Sequence, residues 1–198
     1  MRTILIAEAI PSQNKGEAAL MHGIVKTIRA HVQGRVFFYL CSESRNEDER
    51  EYSDDIKIIG ERGMVPGGDS PREKLFAFLK SASRHLVFLF FYRLLGKRAL
   101  ALPFFRGDLW RAYHEADVVI VGHDNAFSKF HIPLIAFCRL LGKKTIVYGT
   151  TIMPVVMNSR ISRALGRFVL NKTALITTRE PLTFKLLKEI GVTKPPLF

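Results

Sequence analysis

The stretch Thr3-Ile4-Leu5-Ile6-Ala7, followed after a short loop by Asn14-Lys15-Gly16-Glu17-Ala18-Ala19-Leu20, decides the fold. The first run is short, apolar and β-branched, as a strand buried on both faces should be. The second opens a helical pattern from Gly16 to His31 that places Ala19, Gly23, Val25 and Ile28 near one stripe. A glycine at the hand-over lets the backbone approach a ligand closely, and the helix N-terminus offers N–H groups without an intrahelical partner. Open α/β sheets bind ligands at such turns, beyond the carboxyl ends of their strands.

Working outward, the alternation continues. Further strand-like runs are Arg35–Cys41, Ile56–Ile59, Asp117–Gly122, Lys144–Gly149 and Ala174–Thr178. Helical patterns cover His131–Leu141, Ser159–Leu170 and Pro181–Ile190. Strands separated by helices imply right-handed crossovers, so the expected fold is α/β: a Rossmann-like, mainly parallel sheet flanked by helices. There is no internal repeat and no low-complexity segment.

The chain has 198 residues, enough for one good-sized core, and its 47% hydrophobic content with mixed charge describes a folded protein. Cys41 and Cys138 lack metal-ligand spacing and sit in apolar surroundings, so buried thiols in a reducing compartment are expected rather than a disulfide. Met1-Arg2 runs straight into a strand without a cleavage site, which makes a cytoplasmic setting the expectation. The net charge is +12, unevenly spread: residues 1–61 carry 8 basic and 10 acidic side chains, residues 62–198 carry 22 and 8. Glu43 to Asp55 reads as a solvated loop or short helix. The basic remainder suits anionic lipid or a nucleotide-linked substrate; with no zinc pattern or basic–aromatic signature, nucleic acid is not expected. No metal site is expected.

A glycine- and proline-rich break covers 60–71, and a basic, aromatic insertion of about 72–106 follows it. It contains Leu86-Val87-Phe88-Leu89-Phe90-Phe91-Tyr92, with Arg84, Arg93, Lys97, Arg98 and Arg106 interspersed. Leu86–Leu95 is shorter than the roughly 20 apolar residues a spanning helix needs. Two readings stay open: a helix packed on the domain, or one lying peripherally on an anionic membrane face, at the inner side of the cell membrane.

Four motifs in order carry a resemblance. They are Asn14 to Leu20, then Asp117 to Gly122, then Tyr148-Gly149-Thr150, then Thr178-Arg179-Glu180-Pro181-Leu182-Thr183 with Leu186, Leu187 and Gly191. Together the chain resembles the amino-terminal half of the polysaccharide pyruvyl transferase family. That resemblance implies one lobe of a two-lobed fold similar to GT-B glycosyltransferases. It also implies transfer of a pyruvyl group from phosphoenolpyruvate to sugar hydroxyls, forming a ketal in cell-surface polysaccharide biosynthesis. Phosphoenolpyruvate would be the donor substrate, with no cofactor; the acceptor would be a glycan or lipid-linked sugar. The family's second lobe would lie beyond residue 198, so the isolated chain is expected to be incomplete or inactive, or completed by a second-lobe chain or another copy. A non-catalytic glycan- or partner-binding lobe, and a glycosyltransferase using a nucleotide sugar, are the alternatives.

The resemblance carries over residue by residue. Asn14, Gly16 and Glu17 match an Asn-x-Gly-Asp pattern with Glu in place of Asp; either they only cap the helix, or Glu17 also meets a sugar hydroxyl. Gly122-His123-Asp124-Asn125 stands where the family shows a glycine run, so His123 and Asp124 add bulk and charge. They are candidates for acid–base work beside a loop-structural reading, with Gly122 and Asn125 as substrate contacts. Tyr148, Gly149 and Thr150 open the family's Tyr-Gly-x-x-Ile-Gly-Pro loop, with Met153 replacing a glycine. Arg160, Arg163 and Arg167 form either a solvated face or an anion-contacting stripe. Arg179 is the donor-contact candidate, since its guanidinium forks onto carboxylate or phosphate, and Glu180 is its competing structural partner.

Overall fold

The computed structural model describes residues 1–52, 56–61, 63–64, 70–122 and 127–193. Among them, six strands form one parallel sheet: β1 (Arg2–Ile6), β2 (Val36–Cys41), β3 (Ile56–Ile59), β4 (Val118–Val121), β5 (Lys144–Thr150) and β6 (Leu175–Thr178). Their order is β3-β2-β1-β4-β5-β6, the strand order of doubly wound nucleotide-binding folds. Parallel register sets Ile4 opposite Phe38, Phe38 opposite Ile56, and Thr150 opposite Thr178. Seven helices flank the sheet: α1 (Lys15–His31), α2 (Arg45–Glu51), α3 (Pro71–Leu95), α4 (Asp108–Glu115), α5 (His131–Leu140), α6 (Arg160–Leu170) and α7 (Pro181–Glu189). The Rossmann-like α/β fold expected from the alternation is the fold of the chain.

Two compact units divide it, Met1–Gly63 with Phe90–Val119 and Met64–Leu89 with Ile120–Phe198. The first unit buries Leu5, Ile6, Ile10, Met21, Ile24, Phe38 and Leu40 together with Leu109, Trp110 and Tyr113 of α4. The second buries Val121, Leu134, Ile135, Cys138, Val147, Leu170, Ile176 and Leu187. Cys41 and Cys138 are both free and buried.

Four differences from the expectations have physical causes. On α1 the inward residues are Ala18, Met21, Ile24 and Val25, whereas Ala19 and Gly23 are exposed. Ala18, Met21 and Val25 recur at intervals of three and four with Ile24 alongside, the spacing of one helix face. The acidic Glu43–Asp55 segment contains α2, yet Asp48 within it is completely buried. Its carboxylate accepts from Ser42 Oγ at 2.6 Å and from the Ser12 N–H at 2.8 Å, so it is matched rather than solvated. Helix α4 was not read from the sequence, because its apolar residues are only Leu109, Trp110, Ala112 and Tyr113 on one side of a charged octapeptide. Finally, the apolar helix does not stop at Leu86–Leu95. Together with the adjoining 3₁₀ turns, 71–101 is long and apolar enough to cross a bilayer by length and composition, with only 11% of its apolar window buried.

Candidate functional site

In the first unit, β1 leads through a buried Glu8 and Ile10 to the start of α1. Two distant residues hold this connection: Asp48 grips Ser12, and the Tyr52 hydroxyl donates to the Ile10 carbonyl at 2.9 Å. Asn14 adopts extended backbone, and its Oδ1 accepts from the N–H groups of Gly16 at 3.0 Å and Glu17 at 3.4 Å. The capping role of Asn14 is therefore real. Gly16 is needed beside it: a Cβ there would come within 3.3 Å of that same oxygen. Glu17 is half-buried in the first turn. It lies near enough to Tyr52 to help burial and Asp48 hold that phenol above its usual range.

Glu8 was not singled out by sequence reasoning. It is 6% exposed just past the carboxyl end of β1. The Cys41 thiol at the end of β2 is pushed up to about 12, by burial first, then by Glu61, with Glu8 adding to it. Two carboxylates thus converge near the strand ends of this unit. A charged residue immediately after a strictly apolar strand was the available signal.

In the second unit, Gly122 ends β4 with φ +72, and its carbonyl accepts from the Tyr148 N–H at 3.2 Å. A Cβ at Gly122 would meet Phe127 Cδ2 at 3.0 Å, so this family glycine is required twice over, by conformation and by space. His123, Asp124 and Asn125 lie outside the described residues. Gly149, with φ +56, produces an irregular register between Val147 and Thr150, and its N–H donates to Thr177 Oγ1 at 2.5 Å. Met153, by contrast, sits in extended backbone at φ −72 and ψ 144 with its side chain 54% exposed. The loss of a glycine there costs no strain.

Past that irregularity lies an arrangement only partly foreseen. Thr150 is 0% and Thr178 6% exposed; they stand opposite each other in the register, and neither Oγ1 has a hydrogen-bond partner among the described residues. Thr178 was missed as a site residue, being hidden in an ordinary strand ending. The next residue, Arg179, is exposed, and its N–H donates to the Thr150 carbonyl at 3.2 Å. Glu180 does not cap α7 with its side chain. Its Oε1 instead accepts from Thr183 Oγ1 at 3.3 Å, and that oxygen accepts from the Ile152 N–H at 2.9 Å, tying the β5 loop to the first turn of α7. Helix α7 follows with Pro181 in its first turn, presenting its positive end beside Arg179.

Two further placements complete the unit. His131, at the start of α5, is 1% exposed, stacks on Phe127 and accepts the Ser128 N–H on Nδ1 at 2.7 Å. That assigns the proton of the neutral ring to Nε2. Arg160, Arg163 and Arg167 are exposed, and Arg163 Nε donates to the Met157 carbonyl at 2.8 Å. Among the described residues no cluster of His, Cys, Asp and Glu has the makings of a metal site.

The strand order and the helices that flank the parallel sheet define a Rossmann-like α/β protein. The family model for polysaccharide pyruvyl transferase matches residues 14–198, nearly the whole chain. The chain belongs to that family and is a transferase by that membership. No curated protein matches it.

Proposed function

We propose that this chain binds phosphoenolpyruvate at the ends of β5 and β6 and takes part in moving its pyruvyl group to sugar hydroxyls. The observation that carries this reading is the pair of buried hydroxyls of Thr150 and Thr178, without a hydrogen-bond partner among the described residues, at strand ends that lead into Arg179. A donor bearing both a carboxylate and a phosphate supplies acceptor oxygens for two hydroxyl donors. The Arg179 fork and the positive end of α7 balance its charge. Two sugar hydroxyl oxygens bond to the enol carbon; one of their protons goes to the methylene carbon and the other leaves with phosphate as its C–O bond breaks, a departure that cations around the phosphate ease. Taken by itself, the first unit offers Glu17 as a contact for a sugar hydroxyl, with Asn14 and Gly16 holding its helix turn in place.

Titration of the purified chain with phosphoenolpyruvate tests it. Arg179→Ala should weaken binding about tenfold or more, as expected for removing a charge-assisted contact. Thr178→Val removes a hydroxyl that has no partner among the described residues, so it should hold or raise stability, by up to about 1 kcal/mol, while weakening donor binding. Wild-type binding that Thr178→Val leaves intact would sink the assignment of this site.

A non-catalytic glycan-binding lobe is the second reading. It is favoured by Asn14 Oδ1, which is already occupied by two N–H groups of its own helix. Glycan binding without phosphoenolpyruvate binding or phosphate release would select it. Displacement of bound donor by a nucleotide sugar would favour a glycosyltransferase.

A further inference from the structure

Helix α3 carries two apolar stripes on opposite faces. One points inward through Phe78, Ser81, His85, Phe88 and Tyr92. In the second unit, Phe78 packs on Phe130 at 4.9 Å, and His85 and Phe88 pack on Phe137 of α5 at 4.8 and 6.4 Å. In the first unit, the Tyr92 hydroxyl bonds His114 Nδ1 at 2.8 Å. The other stripe faces solvent: Phe76 is 72% exposed, Leu79 56%, Leu86 63%, Phe90 60% and Leu94 65%. Spaced three, four or seven residues apart, these form one ridge close to 27 Å long at 1.5 Å per residue. A helix apolar on all sides belongs in a core or against lipid, and a bare apolar ridge of this size marks an interaction surface.

Charge decides what covers it. Between Glu73 and Asp108 the sequence has no acidic residue and seven basic ones: Lys74, Lys80, Arg84, Arg93, Lys97, Arg98 and Arg106. All seven are exposed. Apposing a second copy through this ridge would set like charges against each other, whereas an anionic lipid face complements them. Just beyond α3, a cavity of about 360 Å³ is lined by Lys97, Arg106 and Arg111 around Phe105, with Glu115 at its margin. Phe104 beside it is 81% exposed. Glu115 accepts from the Tyr39 hydroxyl at 2.6 Å, and its single negative charge stands against three cationic groups in the lining. Because the inner stripe is packed on protein, α3 lies along the surface rather than crossing it.

We propose that α3 and the turns after it form a docking surface for anionic phospholipid. The Phe76–Leu94 ridge enters the acyl boundary, and the Lys97–Arg106–Arg111 cavity receives a headgroup phosphate. The inference does not depend on the pyruvyl reading. Co-sedimentation of the full chain with vesicles of phosphatidylcholine alone, and of phosphatidylcholine with phosphatidylglycerol, tests it. Binding is expected only to the second, and should weaken with salt as the Debye length falls from about 10 Å at 0.1 M to about 3 Å at 1 M. The double variant Lys97→Gln, Arg98→Gln should lose about fivefold per charge. Phe90→Ser with Leu94→Ser should lose about tenfold or more and abolish the salt-resistant remainder. Both pairs are exposed, so unchanged unfolding midpoints will show that the fold is intact. Negligible binding to both vesicles, or equal binding to both, overturns the proposal. So does a dimer in light scattering that Phe90→Ser, Leu94→Ser converts to monomer while vesicles stay unbound.

Discussion

His85 shows how a single buried side chain couples this protein to pH. It is 2% exposed, its Nδ1–H donates to the Ser81 carbonyl at 2.7 Å, and its ring meets Phe137 edge-on at 4.8 Å. Burial pushes its pKa down from 6.5 to about 4. The folded state therefore keeps the ring neutral where the unfolded chain already binds a proton. Stability from this group is fully present above pH 6.5 and is lost as pH falls from there towards 4, in total about 3 kcal/mol at 1.36 kcal/mol per unit. Denaturant melts between pH 7 and pH 4 should show that slope, and His85→Leu should flatten it. A variant with the wild-type slope would place the titrating group elsewhere.

Helix α2 is only seven residues long, yet it holds the connection that delivers α1. Its work is done by Asp48, which joins Ser42 at the end of β2 to Ser12 just ahead of Asn14. Asp48→Ala strips two buried donors of their charged acceptor, at about 1.5–3 kcal/mol for each such bond. A loss of about 3 kcal/mol should lower the melting temperature by about 6–12 °C in a chain of this size. Glu47 also reaches this connection, bonding Gln13, but at the exposed surface. Glu47→Ala should cost below about 1 kcal/mol, since solvent screens exposed charges. Equal effects of the two substitutions would show that burial is not what gives Asp48 its weight. The consequence for function is direct, because a slack 8–13 connection would let the Asn14–Glu17 turn wander.

Across the chain, the two thiols report on each compact unit separately, Cys41 in the first and Cys138 in the second. Both are fully buried, and the Cys41 thiol is pushed up to about 12. A thiol reagent at pH 8 should label neither in the native protein and both in denaturant. Labelling of one alone would show its unit opening by itself.

The strands were legible to within a residue or two, because buried parallel strands are short uninterrupted runs of β-branched and aromatic residues. The sheet class followed from their spacing, and Gly122 and Arg179 from motif order. What the residue order left open depends on partners far along the chain. Nothing local distinguishes Asp48 from its acidic neighbours; only Ser42 and Ser12, brought beside it by folding, make its burial tolerable. Packing decided that the inward face of α1 is Ala18, Met21, Ile24 and Val25, where the helical pattern alone also allowed Ala19 and Gly23. Thr150 and Thr178 are ordinary strand residues until parallel register sets them opposite each other, their hydroxyls without partners among the described residues. Local pattern is enough to form a strand or helix, but which polar groups are left wanting a ligand is a property of the packed chain.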